Sequence, residues 1–188
     1  MLPRRKPQAG FTITELMVVL VIIGVLAAVA TPSLTRDSTA RKGRDFANAV
    51  AQSLQRAHLD AMSGRIPQIA LIYANRVEIL RPADVSPLRT LTSPAYAGDG
   101  LHVTIWAVTT DGTVPTSQVL GVNAGQNTWI DFNPMGNAGA TPASSSLQNY
   151  QIYIRNEFLA PTHPDAGFVV SVTGLTSFVS TRSAKFAQ

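Results

Sequence analysis

The sequence predicts an α+β fold in which a long N-terminal helix carries an antiparallel β-sheet domain. Three observations point there. An apolar run extends from Leu16 to Ala30, a helical period of three to four follows from Arg36 to Met62, and beyond Pro67 only short runs with a period near two remain.

The helix comes first. From Phe11 to Ala30 the chain is apolar enough to span about 30 Å of hydrocarbon as a helix rising about 1.5 Å per residue. Glu15 interrupts it near the start, and a carboxylate at membrane depth is costly unless neutralised or paired. Pro32 ends the apolar run by removing a backbone donor, although helix can continue past it. A transmembrane segment is therefore expected over residues 11–32. Over residues 33–64 an amphipathic helix follows, with Phe46, Val50, Leu54, Ala57 and Ala61 on one face and Arg41, Arg44, Asp45, Gln52, Gln55, Arg56 and Asp60 on the other. The helix is expected to stop near Ser63, with Gly64 just past its end and Pro67 blocking continuation.

Residues 65–188 then read as a β-rich extracytoplasmic domain. Gln68 to Tyr73 and Arg76 to Leu80 form a hairpin through Ala74-Asn75, and Arg81 to Gly100, with three prolines, forms a long loop with room for brief structure. Strands are expected at Leu101 to Thr109, Val119 to Val122, Thr128 to Phe132, Tyr150 to Arg155, Phe168 to Val172 and Leu175 to Ser180. The last two meet at a tight Thr173-Gly174 turn. Asn133 to Asn149, rich in Gly, Ala, Ser, Pro and Asn, is expected to bury little.

Composition excludes several functions. Arg4, Arg5 and Lys6 supply three of the four net positive charges, so residues 11–188 carry +1, which gives no support for general nucleic-acid binding. The absence of cysteine removes disulfides and thiol chemistry. His58, His102 and His163 are scattered, no metal-ligand spacing occurs, and neither a nucleophile elbow nor a phosphate-cradling glycine motif is present. Neither metal nor cofactor is expected. A membrane-anchored enzyme would need a histidine to converge with Asp131 or Asp165.

The N-terminus admits a cleavable secretory signal ending at Ala28-Val29-Ala30, or a plain uncleaved anchor. Neither accounts for Glu15 and the Gly10-Phe11 junction. The basic leader, Gly10, and then Phe11-Thr12-Ile13-Thr14-Glu15-Leu16 with Pro32 beyond resemble the type III signal of type IV pilins and of type II secretion pseudopilins. Thr14 departs from the commoner aliphatic residue at its position. The resemblance implies a leader over residues 1–10, cleavage by prepilin peptidase between Gly10 and Phe11, N-methylation of Phe11, and a pilin-like fold. It further implies that Glu15 and Pro32 act in assembly, with Glu15 paired to the Phe11 amine of an adjacent subunit.

Ala57-His58-Leu59-Asp60-Ala61, Trp129-Ile130-Asp131-Phe132-Asn133-Pro134-Met135-Gly136 and Val172-Thr173-Gly174 are similar to the GspH/FimT subgroup of minor pseudopilins and minor pilins. That implies a non-enzymatic subunit of a type IV pilus or type II secretion pseudopilus, held in the bacterial inner membrane with its N-terminus cytoplasmic and its domain periplasmic. The implied partners are other minor and major subunits, prepilin peptidase and the inner-membrane assembly platform. Trp106, Trp129, Phe132 and the loops at Arg81 to Gly100 and Asn133 to Asn149 are candidate contact surfaces. Some FimT-type subunits serve DNA uptake through basic residues beside the C-terminal glycine hairpin. Here Leu175-Thr176-Ser177 follows Gly174, so nucleic acid is not an expected partner.

Overall fold

In the computed structural model one helix, α1, runs from Ile13 to Gly64 without a break, Pro32 included. The structure describes residues 12–94, 103–110, 128–139, 147–157 and 167–184, with the side chains of residues 29–40 excepted. The chain divides into two units, residues 1–38 and 39–188.

Within the first unit, the described helix surface over residues 13–28 is exposed on every side, including Leu16, Val19, Ile22, Ile23 and Leu26. Within the second, α1 is sided. Phe46, Ala47, Val50, Leu54, Ala57 and Ala61 are buried, while Arg41, Arg44, Asp45, Gln52, Gln55, Arg56 and Asp60 are exposed. This spacing of three and four places one face of the helix on the core. The helix ends one residue later than expected. Gly64 is still helical and it is Arg65, with φ 51°, that takes the left-handed position. The exposed Arg65 side chain tolerates that conformation, and Pro67 then prevents further helix.

Two antiparallel sheets, where one was expected, form the rest of the second unit. The strands are β1 (Gln68–Ile72), β2 (Arg76–Leu80), β3 (Arg89–Thr92), β4 (Val103–Thr109), β5 (Thr128–Phe132), β6 (Ala138–Gly139), β7 (Tyr150–Asn156), β8 (Gly167–Val172) and β9 (Val179–Ala184). Their orders are β3-β2-β1-β5-β6 and β4-β7-β8-β9. In the first sheet Ala70 lies opposite both Ile79 and Ile130, and Ile72 lies opposite Val77, so alternation sends one apolar row into the core. In the second sheet Ile105, Ile152, Ile154, Val170 and Val172 do the same, and both rows join the buried face of α1 in a single cluster. Trp106, Ala107, Tyr153 and Val169 form a smaller cluster. It follows from a bulge: the β4–β7 register steps from Ile105↔Ile154 to Ala107↔Tyr153, leaving Trp106 as the extra residue.

Several expectations need correction. Within the loop at Arg81 to Gly100 the brief structure allowed for is β3, which adds to β2 as a four-residue edge. Asn133 to Asn149 contributes β6, whose Ala138 and Gly139 are buried against β5, and Leu147 bridges Gly139. The last strand begins at Val179, not Leu175. Thr173 N donates to Phe178 O at 3.0 Å, so Leu175 to Phe178 belong to a wider turn and the strand runs on to Ala184. Ser177 takes a left-handed conformation, φ 46°, within that turn. The Val119 to Val122 strand, His102, His163 and Asp165 lie outside the described residues.

Candidate processing and assembly site

Gly10 and Phe11 lie outside the described residues, and the geometry begins with Thr12. The first turns of a helix leave backbone N–H groups without intrahelical partners. Thr12 and Glu15 supply them reciprocally. The Glu15 N donates to Thr12 Oγ1 at 3.3 Å, and the Thr12 N donates to Glu15 Oε2 at 2.9 Å. Thr12 Oγ1 also donates to that same Oε2 at 2.9 Å. This is a capping box, the pattern Thr-x-x-Glu in which a hydroxyl and a carboxylate three residues apart satisfy each other's backbone donors. The spacing Thr12-Ile13-Thr14-Glu15 was the available signal for it, obscured by reading Glu15 only as a charge in an apolar run.

The carboxylate is thus held at the start of the helix, where the helix dipole favours negative charge. Both contacts fall on one oxygen, Oε2, leaving Oε1 without a partner among the described residues. Beyond Glu15 the helix is apolar on all faces, and such a helix needs a non-aqueous environment or packing partners. Among the described residues no helix is long and apolar enough to cross a membrane. The described apolar surface, residues 13–28, is about 24 Å long at 1.5 Å per residue. The span expected over residues 11–32 extends past it at both ends. Pro32 lies within the helical backbone.

Among the described residues, His58 and Asp131 are not brought together. His58 is half-buried, its ring centroid 6.2 Å from that of Phe132, and burial holds its pKa below the usual histidine value. Asp131 precedes Phe132 on β5 and therefore points to the opposite face of the sheet, away from His58. Burial pushes the Asp131 carboxyl above its ordinary value, and its Oδ1 has no hydrogen-bond partner among the described residues. The Tyr150 phenol is pushed up to about 12, first by burial and then by the Asp131 charge. Among the described residues no three His, Asp or Glu side chains are grouped as a metal site. Phe132 and Trp106 are buried, whereas Trp129 is 44% exposed.

No match to the chain was found among curated proteins or among solved structures. Residues 5–31 match the family model described as the prokaryotic N-terminal methylation motif. That interval contains Arg5 and Lys6 of the leader, the Gly10-Phe11 junction, the Thr12–Glu15 cap and the exposed apolar helix. The N-terminus of this chain carries a type IV pilin-like prepilin signal.

Proposed function

We propose that this protein is a minor pilin or pseudopilin, a structural subunit that prepilin peptidase matures by cutting between Gly10 and Phe11 and methylating the new Phe11 amine. The observation that carries this reading is the N-terminal methylation motif over residues 5–31, set on a helix whose apolar surface is exposed all round. Before assembly that surface is stored in the bacterial inner membrane over residues 11–32, with the N-terminus cytoplasmic and the β-rich domain periplasmic. Assembly transfers it into a filament of parallel helices, a type IV pilus or a type II secretion pseudopilus, or into the complex that initiates one. Its partners there are other minor and major subunits and the inner-membrane assembly platform.

Glu15 acts in this reading as a register pin. Its Oε2 is held by Thr12, and Oε1 takes the Phe11 ammonium of a neighbouring subunit. In a low dielectric such a pair offsets much of the desolvation cost of both charges, and a slip of one helical turn would leave both unpaired.

Coexpression of the full chain with a prepilin peptidase tests the proposal by intact-mass analysis. The expected product lacks residues 1–10 and has gained one methyl group. A mature terminus following Ala30, or an uncut chain, would refute it. Glu15→Leu should be cut and inserted normally yet fail to crosslink into filaments, and normal incorporation of that variant would remove the pin.

A further inference from the structure

A groove of about 280 Å³ runs between α1 and β3, lined by Ala49, Gln52, Ser53 and Arg56 from the helix and Arg89, Thr90 and Leu91 from the strand. Its chemistry is one-sided: two guanidinium groups, an amide and two hydroxyls, with no acid among the lining residues. The register explains the convergence. Arg89 lies opposite Ile79 and Leu91 opposite Val77, and both partners face the helix, so alternation aims Arg89 and Leu91 to the same side. Arg56 projects from the exposed flank of α1 three residues beyond Ser53. Neither arginine has an ion-pair partner among the described residues. Asp60, one turn along from Arg56, lines a separate groove with Ser63, Gln68 and Arg81. Ser53 is 8% exposed, and its hydroxyl has no hydrogen-bond partner among the described residues. A buried, unsatisfied donor beside two unpaired cations is a costly arrangement for a solvated surface and a natural one for receiving an anion.

The strand on the groove's far wall specifies the form of that anion. Among the described residues β3 is the terminal strand of its sheet. Ser93 N donates inward to Asn75 O at 2.8 Å, and the antiparallel alternation then directs the backbone groups of Thr90 and Thr92 outward. Both threonines are exposed. An open edge beside side-chain pockets is the recognition geometry for an added strand, in which main-chain bonds give affinity and alternate side chains give specificity. No aromatic side chain lines the groove, so nucleobases would find no stacking platform.

We propose that the α1–β3 groove binds an extended acidic segment of a partner protein. The segment pairs with β3 at Thr90 and Thr92 and places an Asp or Glu side chain between Arg56 and Arg89, over Ser53. This interaction stands apart from maturation, which neither requires nor excludes it.

A random peptide display library panned against the full chain in detergent micelles is the test. Selected peptides should carry an acid within a β-prone run. The Arg56→Gln, Arg89→Gln double variant should bind them at least about tenfold more weakly, the scale of one lost charge-assisted hydrogen bond. Thr90→Pro, which deletes an outward N–H and leaves both arginines, should weaken them too, each variant retaining the parental unfolding midpoint. Selection of no peptide, selection of acid-free peptides, or acidic peptides indifferent to these replacements would overturn the proposal. So would arginine-dependent capture of single-stranded oligothymidine with no peptide selected, which would assign the groove to nucleic acid.

Discussion

Asp131 shows how a single residue can carry a cost that its neighbours impose. It is 5% exposed between the core residues Ile130 and Phe132, and its Oδ1 has no partner among the described residues. Because burial raises its folded-state pKa, the stability it allows is present at pH below the ordinary carboxyl value and lost as pH rises through the raised value. At neutral pH the charged form is disfavoured by the fold. Asp131→Asn should therefore stabilise the protein at pH 7, by about 1 kcal/mol, with the gain vanishing toward pH 4 and below. Thermal unfolding of the full chain in detergent across this range measures it. The same variant should lower the Tyr150 pKa from about 12 while leaving it above 10, because burial, its larger cause, persists. An ultraviolet titration reads that shift independently. Glu15 makes the contrasting case. Sequence singled it out as a charge needing a partner, and its first partner is Thr12 three residues away, a local bond that occupies Oε2 and leaves Oε1 for a second.

At the level of elements, legibility followed the strength of the local pattern. The core face of α1 over Phe46 to Ala61 was readable because period-3.6 spacing is sustained for several turns. β1, β2 and β5 were readable because they are short runs rich in β-branched, aliphatic and aromatic residues between turn residues. β3 was hidden by flanking Pro82, Pro87 and Pro94 and by the polar sequence Arg89-Thr90-Leu91-Thr92, which owes its strand state to pairing with β2. The groove was hidden with it, since no local pattern brings Arg89 to Arg56. β6 was hidden for the same kind of reason: Ala138-Gly139 has little strand propensity and is ordered by β5 on one side and by the Ala138 N to Gly174 O bond on the other. That bond also explains the wide β8–β9 turn. Gly174 N donates to Asn149 Oδ1, and a Cβ on Gly174 would stand 2.5 Å from Gln148 O and 2.6 Å from Gln148 N. Backbone rather than a flexible side chain occupies that space, so Gly174→Ala must displace a connection between the two sheets. It should cost about 2 kcal/mol, seen as a lowered unfolding midpoint, whereas Leu175→Ala in the exposed part of the turn should change stability little.

For the whole molecule, the division between residues 1–38 and 39–188 separates two solutions to the burial of apolar surface. Residues 39–188 bury theirs internally, with α1 contributing Phe46 to Ala61 to a core completed by both sheets. Residues 13–28 leave theirs on the outside of a single helix, where water makes it unfavourable and lipid or neighbouring helices would not. Stability and association should then be separable. A chain beginning at Thr39 should be soluble without detergent, remain monodisperse in gel filtration, and unfold in one cooperative transition near the midpoint of the full chain. The full chain should need detergent or lipid to stay dispersed. If residues 39–188 instead emerged unfolded or aggregated, the first unit would be part of the folding core rather than an appendage to it. Solubility of the full chain without any amphiphile would mean that its apolar helix finds cover within the molecule, leaving no exposed surface for a membrane or filament to take up.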